Sequence, residues 1–194
     1  MTAIARSPYS RAAIVLHWVM ALMILANLGA GFFLEDLFNA DDPALRDLGF
    51  QLVQLHKSVG LTVLTLAVVR LALRVREGFP PLPAHMTVNE RRLARVTHGG
   101  FYVLMLGLPM TGWLMSSASP LGFPTFWFGL FQWPNLPVPT SEELSKAFGN
   151  AHEVMAWVAV ALLVLHVAGA LKHHFLDRDD VLARMIPLLR PRQG

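Results

Sequence analysis

The sequence predicts an all-α integral membrane four-helix bundle, and three observations lead to this fold class. The chain has 194 residues, of which 54% are apolar and only 15% charged, whereas soluble domains carry about 25% charged residues. Four apolar segments are each long enough to cross a hydrocarbon core of roughly 30 Å at about 1.5 Å per residue. Basic residues flank these segments and are rare within them. We therefore expect a single membrane domain over residues 1–194.

The first predicted span, residues 12–34, contains no Asp, Glu, Lys or Arg. It follows Arg6 and Arg11, so a secretory signal peptide is the rival interpretation. The apolar run exceeds the roughly 7–15 residues of a signal-peptide core, and no small-residue cleavage site follows it. We therefore predict a retained span.

The second predicted span, residues 48–75, is interrupted by charge. Lys57 lies near its start, and Arg70 and Arg74 lie near its end. Long basic side chains reach the interface from such positions, so the segment still qualifies as a span.

The third predicted span, residues 96–117, ends where prolines become frequent. These are Pro120, Pro124, Pro134, Pro137 and Pro139. The aromatic stretch between them has two interpretations, a segment at the membrane interface or an apolar loop packed on the bundle. The fourth span, residues 143–174, begins at a predicted capping pair, Thr140 and Glu143.

The distribution of basic residues predicts the topology. One side of the predicted bundle, which includes both termini, carries thirteen Lys and Arg residues, and the other side carries three. Because positive residues are retained in the cytoplasm, both termini should be cytoplasmic. The basic residues form no stripe, so we expect membrane lipid and no nucleic acid as a partner. Cysteine is absent, which excludes disulfides, iron–sulfur clusters and thioether-linked haem.

Several of the eight histidines lie inside the predicted spans, and four of them pair by depth. His17 and His166 lie toward the cytoplasmic ends of spans one and four, and His56 and His152 lie near the outer ends of spans two and four. An ionisable side chain is costly in a membrane, so a functional role is the default interpretation. His152 and His166 are 14 residues apart, which is about 21 Å along a helix and within about 40° of a whole number of turns. One helix thus offers a ligand to each of two stacked sites.

Two neutral imidazoles on opposite faces of a macrocycle are the ligands of bis-histidine haem b. Gly60 and Gly169 are expected to leave room for the macrocycle beside a ligand. Zinc and di-iron sites are the metal alternatives, but the spans lack inward carboxylates beyond Glu153. A single intramembrane histidine can also be a hydrogen-bonded packing residue.

Several short motifs resemble the bacterial cytochrome b561 family, in family order and across nearly the whole chain. They are His17-Trp18, Leu55–Gly60, Val68–Leu71, Thr97–Gly99, Ala151–Glu153, Leu165-His166 and Lys172–His174. The resemblance implies two haem b groups, one held by His17 and His166 toward the cytoplasm and one held by His56 and His152 at the outer side. This pairing agrees with the pairing by depth.

The resemblance also implies a ubiquinone site at the cytoplasmic end, around His98 and His173, with His85 alongside. Quinone reduction consumes protons, and histidines that titrate near neutral pH suit that task. The alternative is that these histidines only anchor helix ends. Arg70 is expected to contact a haem propionate, with snorkelling to the interface as the alternative.

The activity implied by the resemblance is superoxide oxidation coupled to ubiquinone reduction, by outer-sphere electron transfer without a catalytic residue at the haem iron. Superoxide is an anion that a positive funnel would concentrate, yet the outer side carries eight acidic and three basic residues. Lys57, beside His56, could provide a local positive entrance.

Two other classes of function stay open. The acidic outer side favours an electron-transfer cytochrome b subunit or shuttle that docks a basic periplasmic redox protein. A non-enzymatic haem-binding or structural membrane protein is also compatible with the spans, but it leaves the paired histidines unexplained.

Overall fold

The structure, a computed structural model, describes residues 9–78, 80–83 and 85–189, and it confirms the all-α fold class. Four helices are long and apolar enough to cross a membrane. They are α1 (Arg11–Gly31), α3 (Pro43–Glu77), α4 (Val88–Ala118) and α5 (Glu142–Lys172), and α5 continues into a π-helical turn, His173–Asp177. Arg6, Arg190 and Arg192, which contributed to the topology prediction, lie outside the described residues.

Shorter elements join and follow the spans. They are α2 (Leu34–Phe38), a two-stranded hairpin of β1 (Thr125–Trp127) and β2 (Phe131–Trp133), α6 (Val181–Met185) and a 3₁₀ turn, Pro187–Leu189. The hairpin strands are antiparallel, with Phe126 opposite Gln132.

Helices α3 and α4 begin well before the apolar segments that predicted them, because side-chain caps determine where a helix starts. Asp42 accepts a hydrogen bond from the Ala44 amide at 2.9 Å, directly before Pro43 in the first helical turn. Thr87 and Glu90 form a reciprocal capping box at the start of α4. With 35 residues, α3 is about 52 Å long and extends beyond a hydrocarbon core of about 30 Å.

The predicted capping pair Thr140–Glu143 is wrong by one residue. The N-cap of α5 is Ser141, whose hydroxyl oxygen accepts a hydrogen bond from the Leu144 amide at 3.3 Å. The Ser141 amide also donates to the Ala118 carbonyl oxygen at 2.9 Å. This contact with the end of α4 holds Ser141 in the extended conformation of a cap. Because the contact is between residues distant in sequence, the local sequence pattern could not predict it.

Helix α1 ends at Gly31, three residues before the predicted end of the span. Hydropathy continues through Phe32, Phe33 and Leu34, so the apolar pattern does not reveal the break. Helix α2 then packs against α3 so closely that a Cβ atom on Gly49 would lie 2.8 Å from the backbone carbon of Leu37.

The aromatic stretch after α4 packs on the bundle, as one of its two interpretations predicted. Gln54, Ser58 and Thr62, which are one turn apart on α3, all hydrogen-bond to the hairpin. The Ser58 hydroxyl oxygen accepts from the Phe128 amide at 3.0 Å, and the Trp127 indole donates to Thr62 at 3.1 Å. The phenylalanines of the stretch remain exposed on its outer surface.

The long helices pack in chain order, α1 against α3, α3 against α4 and α4 against α5. Met20, Val63 and Ala67 form a buried core between α1 and α3. The backbones of α1 and α5 approach each other less closely than these neighbouring pairs do. Ring contacts connect these two helices instead, and they include two of the predicted site residues.

Candidate functional site

The first ring contact between α1 and α5 joins His17 and His166. Their ring centroids are 6.2 Å apart, and the ring planes are inclined by 63°. Phe32, directly after the end of α1, and Trp157 on α5 also meet, with ring centroids 4.8 Å apart. The two histidines that the depth argument paired are therefore neighbours in space.

The second predicted pair, His56 on α3 and His152 on α5, is also formed. Its ring centroids are 6.1 Å apart, with the ring planes inclined by 70°. The two pairs lie at separate levels of the bundle, because His152 and His166 are 14 residues apart on one helix, about 21 Å along its axis.

Both pairs have the spacing expected for the two axial ligands of one haem iron. Metal–imidazole bonds of about 2 Å bring two rings on opposite sides of a metal to a centroid separation of about 6 Å. The residues present therefore fit haem b in both places. His56, His152, His17 and His166 are the side chains that could hold its iron.

A backbone carbonyl determines which nitrogen of His152 is available to a metal. The Nδ1 atom lies 2.9 Å from the Leu108 carbonyl oxygen, which can only accept, so Nδ1 carries the hydrogen. Nε2 then keeps its lone pair, as a ligand requires. Pro109 follows Leu108 inside α4, and Thr111 donates to the same carbonyl at 2.8 Å. For His56, Nδ1 is buried and has no hydrogen-bond partner among the described residues.

Two glycines that the sequence did not single out lie against these rings. A Cβ atom on Gly112 would lie 3.1 Å from Cε1 of His152, and one on Gly31 would lie 3.3 Å from Cε1 of His56. Of the predicted glycines, Gly169 has nothing within 4 Å of such an atom, and Gly60 has only the Asn27 amide nitrogen at 3.8 Å. Close approach between helices depends on their packing, so spacing along the chain could not identify Gly31 and Gly112.

Arg70 reaches into the bundle toward His17. One guanidinium nitrogen lies 3.3 Å from His17 Nδ1 and the other lies 3.5 Å from the Ala13 carbonyl oxygen. Because a guanidinium only donates, His17 Nδ1 accepts in this arrangement and Nε2 carries the hydrogen. Iron binding by Nε2 of His17 would require Arg70 to release Nδ1, and a propionate at the same level would be an alternative partner for its charge.

His98, a predicted quinone residue, lies beside the His17–His166 pair. Its ring centroid is 5.6 Å from that of His166, and Phe101 contacts His166 from the same helix at 5.4 Å. His98 Nδ1 donates to the Ala94 carbonyl oxygen at 2.7 Å.

The other two predicted quinone residues, His85 and His173, meet at one carboxylate oxygen that the sequence analysis did not single out. Asp179 Oδ2 lies 2.9 Å from His85 Nε2 and 2.7 Å from His173 Nδ1. His173 and the Asp179 side chain are nearly buried, whereas the His85 side chain is 54% exposed. We call these three residues the His–Asp–His cluster.

The electrostatics of the cluster keep Asp179 ionised. Burial alone would raise the pKa of this carboxyl group, but hydrogen bonds from the Val181 amide, His173 and His85 outweigh it and lower the pKa below its usual value. The Val181 amide donates to the other carboxylate oxygen at 2.9 Å. The π-helical turn and the left-handed Arg178 bend the chain back so that Asp179 faces His173.

The structure does not bring His98 into the cluster. His98 faces His166, which precedes His173 by seven residues, or about 10 Å along the helix. Between the two levels, Lys172 forms ion pairs with Glu90 and Asp177 and joins the ends of α4 and α5. In the sequence, Asp179 follows two adjacent histidines, His173 and His174, near the end of the last span. That position alone is only a weak indication of a functional carboxylate.

These features, apolar spans with cross-helix histidine pairs, define a haem-binding membrane electron-transfer protein, and comparison with known proteins gives its family. The family model for prokaryotic cytochrome b561 matches residues 8–188. The chain belongs to this family, whose cofactor is haem b.

Three relatives illustrate the similarity. Cytochrome b561 homolog 2 of Escherichia coli is 33% identical over 171 residues, which cover 88% of this chain and 86% of that protein. Cytochrome b562 of Cereibacter sphaeroides is 30% identical over 185 residues, covering 95% and 96%. A probable superoxide oxidase CybB of Yersinia pestis is 27% identical over 193 residues, covering 94% and 97%.

Proposed function

We propose that the protein is a di-haem b superoxide:ubiquinone oxidoreductase of the bacterial inner membrane. Two superoxide anions would be oxidised to two molecules of O₂, and one ubiquinone would take up the two electrons and two protons to become ubiquinol. The observation that carries the di-haem part is the pair of cross-helix histidine contacts, 6.2 Å and 6.1 Å between ring centroids, at two levels of one bundle. The name of one relative, a probable superoxide oxidase, supports the choice of donor.

In this proposal His56 and His152 hold the outer haem b, and His17 and His166 hold the haem b nearer the cytoplasm. Haem b held by these imidazoles would supply reversible one-electron transfer. The Leu108 carbonyl oxygen orients His152 through Nδ1. Arg70 supplies a positive charge beside His17 that suits a propionate.

Lys57 supports superoxide as the donor. It follows His56 directly in α3, and it forms no ion pair with any carboxylate among the described residues. Lys146, another basic residue of the same side, is paired with Glu142 at 2.7 Å. An unpaired ammonium group next to an axial ligand attracts an anion to the place where an electron has to enter.

The opposite end of the bundle suits a reaction that consumes protons. His85 is exposed and shares the Asp179 carboxylate oxygen with the nearly buried His173, so these three side chains form a hydrogen-bonded chain that leads from solvent into the end of the bundle. His98 contacts His166, with 5.6 Å between the ring centroids. We propose that ubiquinone binds at this end, within reach of His98 and the cluster.

The experiment that tests the donor supplies superoxide as the only reductant to the purified holoprotein and follows ubiquinone reduction. The proposal expects ubiquinol to form with two superoxide anions consumed per quinone, and expects added superoxide dismutase to stop it. Ubiquinone that stays oxidised, while dithionite still reduces both haems, would contradict the donor.

The quinone site has its own test. We expect His98→Ala and His173→Ala to keep both haems and to slow their reoxidation by added ubiquinone, whereas His174→Ala should not. Unchanged rates of haem reoxidation in both variants, with full haem content, would contradict a ubiquinone site at this end of the bundle.

A second candidate function, an electron shuttle for a basic periplasmic protein, is favoured by one observation. The outer ends carry more acidic than basic residues, including Glu35 and Asp36 in the first turn of α2. Reduction of the haems by a basic soluble cytochrome, lost at high salt and independent of superoxide dismutase, would support this candidate instead.

A further inference from the structure

We propose that the His–Asp–His cluster is a binding site for a divalent transition-metal cation of the zinc class. The atoms His85 Nε2, His173 Nδ1 and Asp179 Oδ2 lie within 4.8 Å of one another. Two imidazoles and one carboxylate, with no thiolate, are a common set of three protein ligands for zinc, with water as the fourth. Magnesium and calcium prefer more oxygen ligands than this cluster offers.

The cluster is held in shape before any ion binds. Asp179 is fixed through Oδ1 by the Val181 amide at 2.9 Å, and its own amide donates to the His173 carbonyl oxygen at 3.1 Å. The Asp179 side chain is only 8% exposed. Bringing Oδ2 and the His173 ring together therefore costs an incoming cation little conformational entropy, unlike a site formed from mobile surface side chains.

The three ligands come from two separate parts of the chain. His85 belongs to the loop between α3 and α4, and the other two ligands follow the end of α5. The exposed His85 ring gives an ion access from solvent, while the remaining ligands lie behind it. A metal would cross-link the loop to the C-terminal segment.

Two nearby basic residues, Lys172 and Arg184, are already paired with carboxylates. Lys172 is paired with Glu90 and with Asp177, and Arg184 is paired with Asp180 at 3.0 Å. Asp177 Oδ2 also lies 3.0 Å from His173 Nδ1, which adds negative charge beside the metal position. The carboxylates of Asp177 and Asp179 thus both lie beside the metal position and attract a dication.

A bound cation would replace the hydrogens that His85 Nε2 and His173 Nδ1 direct at Asp179 Oδ2, each imidazole then carrying its hydrogen on the other nitrogen, and would interrupt this hydrogen-bonded chain. Resting on the proposed function, this makes zinc an inhibitor of haem reoxidation by ubiquinone, without any effect on haem content. The metal site itself does not depend on the identity of the electron donor or of the acceptor.

The test titrates zinc chloride into chelator-treated holoprotein, purified without a histidine tag, by isothermal titration calorimetry. We expect one zinc ion per chain for the wild type and for the matched control His174→Ala. Asp179→Asn and His173→Ala should bind zinc at least tenfold more weakly, with unchanged haem spectra as the check on folding. No zinc binding by the wild type, or equal affinity in Asp179→Asn, would overturn the site.

A kinetic measurement on the same samples separates the two proposals. We expect saturating zinc to slow the reoxidation of the haems by ubiquinone at least threefold in the wild type. In Asp179→Asn, the rate of reoxidation should be the same with and without zinc. Stoichiometric zinc binding without any slowing would keep the metal site and overturn the proton path through the cluster.

Discussion

The hydrogen bond between His152 Nδ1 and the Leu108 carbonyl oxygen, at 2.9 Å, fixes the tautomer of this histidine. The residue type alone does not reveal which ring nitrogen carries the hydrogen. A histidine can be a packing residue, a ligand or a proton carrier, and its hydrogen-bond partner decides among these roles. His17 has the opposite arrangement, because Arg70 donates toward its Nδ1. In the structure the two histidines therefore differ in the hydrogen bond that each makes through Nδ1, and iron binding by Nε2 of His17 would require Arg70 to release that nitrogen.

Arg70 should raise the reduction potential of the haem held by His17. Its guanidinium lies 3.3 Å from the His17 ring, and a positive charge favours the reduced iron. We expect Arg70→Gln to lower the midpoint potential of one haem by about 50–100 mV, since a charge about 7 Å away acts with about 2 kcal/mol at an effective dielectric constant of 20. Redox titration followed by absorption measures the shift.

Arg74→Gln is the control for this change, because Arg74 lies one turn further along α3 and stacks over the Tyr9 ring at 5.3 Å. It should shift the same potential by less than half as much. Equal shifts in the two variants would mean that Arg70 has no particular relation to the His17 haem.

Lys57 should accelerate the oxidation of superoxide. Steering by local positive charge raises association rates by about 10–1,000-fold in favourable cases. A single lysine should contribute only part of such an increase. We expect Lys57→Gln to lower the rate of haem reduction by superoxide about three- to tenfold. Pulse generation of superoxide with detection at the haem absorption band measures it.

Lys146→Gln is the matched control, because Lys146 is paired with Glu142 and highly exposed. Its rate should stay within about twofold of the wild type. If both variants lost the same fraction of the rate, the effect would come from overall charge, and Lys57 would not be a special entrance.

At the scale of single residues, the sequence predicted both histidine pairs because only depth and helix periodicity were needed. It did not reveal Gly31, Gly112 or Asp179. The two glycines matter through helix crossings, and Asp179 matters because a π-helical turn reverses the chain. Neither feature has a periodic signature along the sequence.

The hairpin and α3 behave as one packed element. Ser58 is buried, and its hydroxyl oxygen accepts a hydrogen bond from the Phe128 amide at 3.0 Å. We expect Ser58→Ala to destabilise the holoprotein by about 1–3 kcal/mol, because the partly buried Phe128 amide then lacks its acceptor. The measurement is the temperature at which the haem is lost.

Thr65→Ala serves as the comparison, since the Thr65 hydroxyl donates only to the Leu61 carbonyl oxygen within α3 at 3.0 Å. It should cost less than half as much as Ser58→Ala. Similar losses would show that the hairpin contact contributes little to stability.

Hydropathy located all four long helices but placed several of their ends incorrectly. Helix α4 starts eight residues before the predicted span, at the Thr87–Glu90 capping box. Hydropathy identifies the part of a helix that is apolar enough to lie in the hydrocarbon core, whereas the capping residues determine where the helix begins. At α5 the cap itself depended on a tertiary hydrogen bond between Ser141 and Ala118.

The C-terminal segment closes one end of the whole molecule. The Trp18 indole donates to the Met185 carbonyl oxygen at 2.8 Å, which joins α1 to α6, and Arg184 donates to the Pro81 carbonyl oxygen at 3.0 Å. The first turns of α1, the segment that follows α5 and the loop after α3 thus belong to one side of the bundle. The excess of basic residues on this side predicts that it is cytoplasmic.

The absence of native cysteine makes this orientation easy to test. Leu121→Cys introduces a thiol on the hairpin side, and Leu188→Cys introduces one on the opposite side, both at well-exposed positions. In intact spheroplasts a membrane-impermeant maleimide should label Leu121→Cys only, and both variants should react after lysis. Labelling of Leu188→Cys before lysis would reverse the assigned topology.

The number of haems per chain, and the variant in which each is lost, tests the central claim most directly. A pyridine haemochrome assay on purified protein should return two b-type haems per chain for the wild type. It should return one for His17→Ala and one for His152→Ala, with a different haem missing spectroscopically in each, while His98→Ala keeps two. A single haem in the wild type, or loss of the same haem from His152→Ala and His166→Ala, would contradict the two-site account.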